Sequence, residues 1–132
     1  MGAMNRYAPL AGRIMIALVF VVAGIEKLTG FQGTVAYIAS KGMPVPHAAA
    51  AAAIVVELGG SAMLVLGWNT RWAAAALFAF SGLAALMFHN FWALPADQAA
   101  NQMIHFLKNI AMMGGLVYVM TYGSGPPGSG RK

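Results

Sequence analysis

The chain contains no cysteine. That absence excludes a disulfide, a thiol relay, a Cys-ligated zinc and an iron–sulfur cluster. Charge is nearly as scarce. Of 132 residues, eight are Lys or Arg and three are Asp or Glu, 8% in all, against roughly a quarter in a soluble domain. So few charges argue against a soluble globular domain, and a hydrophobic content of 60% argues against a disordered chain. The net charge of +5 could suggest nucleic acid. Eight cations scattered through apolar sequence make no basic stripe, however, and no nucleic-acid partner is expected. What remains is a membrane composition, with the lipid bilayer as the first partner.

A helix crossing the hydrocarbon core needs about 20 mainly apolar residues. Four stretches qualify, at about 8–28, 47–67, 72–91 and 102–122. The expected fold is all-α: a single transmembrane domain over 8–122, built as a four-helix bundle. Residues 1–7 read as an N-terminal tail whose Met1-Gly2-Ala3-Met4 opening resembles an appended sequence. Residues 123–132, rich in Gly, Pro and Ser, read as a flexible C-terminal tail. Glu26-Lys27 rather than a small-residue cleavage site follow the first apolar run, so that run is a retained helix and no signal peptide. Trp68-Asn69-Thr70-Arg71 after Gly67 predicts a tight turn joining spans two and three. Between spans one and two, Phe31, Val35 and Ile38 recur at helical spacing, and Gly42, Pro44 and Pro46 follow. They predict a short interfacial helix, with an ordinary loop as the plainer alternative. Trp68, Trp72, Trp92 and Tyr122 read as interface anchors. Arg6, Arg13, Arg71, Arg131 and Lys132 fall on one side and Lys27 and Lys41 on the other, which puts both termini in the cytoplasm of a multi-pass protein.

Ionisable groups inside spans are costly and by default mark function. Here they are Glu26, Lys27, Glu57, His89, His105 and Lys108. Folding the hairpins about Asn69 and Asp97 sets His89 and His105 at one depth. It sets Glu57 about 12 Å deeper and Lys108 about 4.5 Å deeper, at 1.5 Å per residue. Asn101, Gln102, His105, Lys108 and Asn109 share one face of the last span, a stripe that lipid would reject and that should face the bundle interior. Structural ion pairing is open to Glu57 or Glu26 with Lys108. Glu57 and His105 are the candidate proton-handling groups. Lys27, Glu57, His89, His105, Lys108 and Asn109 are the candidate ligand-binding set. The depth gap between Glu57 and the two histidines argues against a shared metal, and bis-histidine haem ligation is disfavoured too.

Gly24-x-x-Lys27-Leu28, Gly42-x-Pro44, Glu57-Leu58-Gly59-Gly60, Leu64-x-Leu66-Gly67, Thr70-Arg71, His89-x-x-Trp92, Phe106-Leu107-Lys108-Asn109 and Gly114-Gly115 occur in that order. As an ordered set over about residues 10–120 they resemble the DoxX family of small bacterial inner-membrane proteins. The resemblance implies a four-helix membrane bundle in the inner membrane. It also implies a link to quinone-dependent redox systems, because the family takes its name from a subunit of an archaeal thiosulfate:quinone oxidoreductase. The family's recurring polar positions fall on Lys27, Glu57, His89, Lys108 and Asn109. The missing cysteine departs from relatives that work through thiols. Three readings follow. The chain is an oxidoreductase component with a quinone-binding polar pocket in the outer half of the bundle, where Lys108, Asn109 and His105 would donate hydrogen bonds. Or it is a non-enzymatic scaffold subunit whose buried charges are structural, associating with membrane or periplasmic redox proteins or with copies of itself. Or it is a small transporter.

Overall fold

The computed structural model describes residues 2–127, and among them every element is helical. Helix α1 spans Gly2–Thr29, α2 Phe31–Ser40, α3 Pro46–Leu66, α4 Thr70–Phe88 and α5 Ala96–Tyr122, with a 3₁₀ turn at Phe91–Ala93. Four helical segments are long and apolar enough to cross a membrane: Gly2–Thr29, Pro46–Leu66, Thr70–Ala93 and Ala96–Tyr122. The chain is therefore a four-helix membrane bundle. Lipid replaces water as the outer solvent, which accounts for exposed Leu, Val, Ile and Met along all four segments. Residues 2–7, expected as a tail, continue α1. The expected start near residue 8 followed the apolar run, but a helix need not stop where hydrocarbon does. Met1 and the basic pair Arg131 and Lys132 lie outside the described residues.

The helices pack antiparallel in series, α1 on α3, α3 on α4 and α4 on α5. Small residues set the spacing, as is usual where lipid supplies no hydrophobic drive between helices. A β-carbon at Gly24 would stand 2.7 Å from Leu58 Cδ2, and one at Gly60 would stand 3.0 Å from Leu77 Cγ. Phe20, Leu64, Ala74, Leu77 and Leu116 fill the centre. Ser61 Oγ on α3 donates to the Ala17 carbonyl on α1 at 3.5 Å.

The segment between spans one and two forms the short helix that its spacing predicts. Val35 and Ile38 are buried against Ala50, with Phe31, Ala49 and Phe88 around them. Gly42 at φ 77° ends the turn that follows α2, and Pro46 opens α3. The α3–α4 turn is equally tight: Gly67 caps α3 at φ 73° and Asn69 stands at φ 45°.

One residue that reads as an orientation signal has a second role. Arg13 is 2% exposed and lies in the core. Its Nη1 donates to the Leu64 carbonyl at 2.6 Å and the Val65 carbonyl at 3.2 Å, and its Nη2 donates to the Pro127 carbonyl. It adds a charged donor at the end of α3, to the Leu64 carbonyl, which also accepts from the Gly67 N–H, and to the Val65 carbonyl. Residues 123–127 run back beside Arg71 and Pro9 to reach it. The start of α1, the α3–α4 turn and the end of α5 therefore share one end of the bundle.

Candidate functional site

At the opposite end, Glu57 sits on the face of α3 that meets α1. It is 1% exposed. Gly24 allows this approach: a β-carbon there would stand 3.4 Å from Glu57 Cβ and closer still to Leu58. Lys27, one turn further along α1, reaches across with Nζ 2.9 Å from Glu57 Oε1 and 3.2 Å from Oε2. Among the described residues this is the one ion pair between a Lys or Arg and an Asp or Glu. The Lys27 ammonium also lies 6.0 Å from the centroid of the Phe80 ring.

The pair lines a cavity of about 570 Å³ bounded by all five helices. Phe20, Phe80, Phe88 and Tyr37 give it aromatic walls, and Glu57, Lys27, Ser81, His89 and Asn109 add polar groups. Asn109 Nδ2 donates to the Ser81 carbonyl at 3.2 Å, tying α5 to α4. The Ser81 hydroxyl is buried and has no hydrogen-bond partner. His89 Nδ1 pairs with Gln102 Oε1 at 2.8 Å, tying the end of α4 to α5.

The expected site residues divide into two groups. Lys27, Glu57, His89 and Asn109 line the one cavity, with Glu26 also among its lining residues but largely exposed. His105 and Lys108 line an adjoining groove between α1 and α5, together with Met15, Ile16, Val19, Asn109, Ala111 and Met112. The His105 ring stacks on that of His89, centroids 5.3 Å apart, which the equal depth given by folding about Asp97 permits. The expected pairing of Lys108 with Glu57 or Glu26 does not form, because Lys27 takes the carboxylate. The reason is angular. Successive helical residues point about 100° apart, so when Asn109 turns toward α4, Lys108 turns outward and is exposed. For the same reason the stripe on α5 straddles the bundle surface: Gln102, His105 and Asn109 are half-buried, whereas Asn101 and Lys108 are exposed.

Ser81, Tyr37 and the aromatic walls Phe20, Phe80 and Phe88 have no place in the expected set. Ser81 carries no signal in sequence beyond being a hydroxyl within an apolar run. Tyr37 could have been found from α2, since it lies one turn after Gly33 on the side that faces the cavity. No group of three or more His, Asp or Glu side chains gathers into a metal-binding arrangement among the described residues.

The comparisons agree with this architecture. No solved structure matches the chain. Inner membrane protein YphA of Escherichia coli (strain K12) is 38% identical over 125 residues, which cover 94% of this chain and 89% of the relative. Inner membrane protein YqjF of the same organism is 32% identical over 116 residues, 88% and 84% of the two chains. The DoxX family model matches residues 8–90, well over half of the chain, and the chain therefore belongs to the DoxX family.

Proposed function

We propose that this protein is a quinone-binding component of a redox system in the bacterial inner membrane. The observation that carries the reading is the Lys27–Glu57 pair lining an aromatic-walled cavity, whose lining also includes Ser81 with its unpartnered hydroxyl. A volume of about 570 Å³ lies within the usual range for small-molecule sites. A quinone ring stacks favourably on Phe and Tyr faces, and its carbonyl oxygens accept hydrogen bonds from an ammonium, an amide or a hydroxyl. Lys27, Asn109 and Ser81 supply those donors. Reduction of a quinone to the quinol takes two electrons and two protons. A chain without cysteine delivers no electrons through thiols, so they come from a membrane or periplasmic partner. His89 and Glu57 are the groups placed to exchange protons with the ring oxygens.

The test is co-purification and titration. Protein extracted in mild detergent should carry quinone in its lipid extract and bind added quinone in nanodiscs, and Lys27→Met should weaken that binding. A wild-type protein that neither retains nor binds quinone would refute the reading.

A second reading is a scaffold subunit, favoured by the position of the ion pair. It bridges α1 and α3 one turn from the close approach at Gly24, as a structural clasp would. If that is its whole role, Glu57→Gln lowers stability and leaves quinone binding untouched. Both termini are assigned to the cytoplasm, because Arg6, Arg13 and Arg71 share the end at which the tail docks. Reporter fusions to each terminus check this.

A further inference from the structure

We propose that the cavity opens sideways into the bilayer through the seam between α1 and α5. Its ligand is then a head-and-tail molecule loaded from the lipid phase. The inference rests on the quinone reading above and adds to it both the route and the need for a tail.

The bundle is closed unevenly. The pairs α1–α3, α3–α4 and α4–α5 pack along their lengths, whereas α1 and α5 barely meet. They do so near Gly115, where a β-carbon would stand 3.1 Å from Ile16 Cδ1. Toward the cavity the two helices part, and a groove of about 480 Å³ runs between them. Val19, Asn109 and Met112 line the groove and the cavity alike, so a single layer of side chains separates the two spaces. That layer can yield. Met112 is an unbranched thioether that changes shape at little cost, and Val19 is itself exposed toward lipid.

The groove's chemistry selects the traveller. Met15, Ile16, Val19, Ala111 and Met112 give it an apolar side facing hydrocarbon, and His105, Lys108 and Asn109 give it a polar side, so an amphiphile with a polar head and an apolar chain matches it better than a hydrated solute does. A molecule with an alkyl or isoprenoid chain leaves the chain in the slot while its head passes Asn109 to reach Lys27 and Ser81. The rim past Gly30, Gly33 and Thr34 gives a tail-less ring another way in.

The experiment uses the whole chain in nanodiscs with two probes. One is a benzoquinone with a long isoprenoid chain, supplied in the lipid; the other is the tail-less ring, supplied in water. Because the chain has no cysteine, Ile16→Cys with Gly115→Cys introduces the only two thiols, and oxidation pins the seam. Neither residue lines the cavity. The expected result is that oxidation slows loading of the tailed quinone on the order of tenfold, that reduction restores it, and that the tail-less ring is unaffected. Ala111→Trp fills the groove without cross-linking and should slow the tailed probe in the same way. Equal loading rates in pinned, reduced and Ala111→Trp proteins would overturn the lateral route while leaving the cavity reading in place. A wild-type protein that binds neither probe would overturn the cavity reading, and the route with it.

Discussion

Removing one member of the Lys27–Glu57 pair should cost more stability than removing both. At 2.9 Å and an effective dielectric of 20, the Coulomb attraction is about 6 kcal/mol. Desolvation of both groups offsets most of it in the intact protein. The offset disappears when one partner goes. Lys27→Met keeps the aliphatic stem but strands a carboxylate that is 1% exposed. For a fully buried pair such a deletion costs 3–5 kcal/mol. The Lys27 side chain is 29% exposed, so screening lowers the expected loss to about 2–3 kcal/mol. Glu57→Gln retains an amide oxygen for Lys27 to donate to and should cost about 1 kcal/mol. The double variant Lys27→Met/Glu57→Met removes the desolvation cost together with the attraction and should return to within about 1 kcal/mol of wild type. Equilibrium unfolding in mixed micelles of wild type, the Lys27→Met and Glu57→Met single variants and the double variant forms a double-mutant cycle. A coupling energy within about 0.5 kcal/mol of zero, or a Lys27→Met protein as stable as wild type, would refute the reasoning.

Three further outcomes follow from single contacts. Arg13→Leu removes charged donors from the Leu64 and Val65 carbonyls and should cost about 1.5–3 kcal/mol in the same unfolding assay. Gly24→Val forces a methyl-bearing carbon into Leu58 and should cost about 1–3 kcal/mol, whereas Gly33→Ala, with nothing within 4 Å of the new carbon, should be nearly silent. Ser81→Ala should leave stability within about 0.5 kcal/mol of wild type, because the hydroxyl has no partner to lose. It should weaken quinone binding about threefold to tenfold, the worth of one hydrogen bond, as read by titration in nanodiscs.

Depth was legible in the sequence, and direction was not. Depth is a matter of counting residues from a turn, and turns announce themselves: Gly67 and Asn69 adopt left-handed conformations suited to their residue types. Counting from Asp97 set His89 opposite His105, and their rings do stack. Phe31, Val35 and Ile38 disclosed α2 because its buried face is hydrophobic and its other face is not. Choosing Lys27 over Lys108 as the partner of Glu57 is a different problem. Both lysines lie at a workable depth, and the choice depends on the rotation of α1 and α5 about their axes. That rotation is set by packing, notably by the close approach at Gly24. Arg13 escaped for a related reason. Counting treats a basic residue near a helix end as topology, whereas it lies five residues inside the expected span and turned toward α3.

The clasp and the binding site need not compete for the same atoms. The Lys27 ammonium has three N–H donors, and two contacts to one carboxylate leave at least one for another acceptor. The carboxylate, which offers about four lone-pair directions, keeps acceptor capacity as well. Asn109 uses one of its two amide hydrogens on the Ser81 carbonyl and retains the other. The Ser81 hydroxyl uses none. A ligand carbonyl can therefore be held without breaking the link between α1 and α3. The residues that fix the two helices then also fix the donors, so the donors are preorganised and little ordering cost falls on binding. If that is so, stability and affinity should separate by residue. Single variants of the clasp lower both together, because each loosens the link between α1 and α3 and either removes the ammonium or leaves it unfixed, while Ser81→Ala lowers affinity alone.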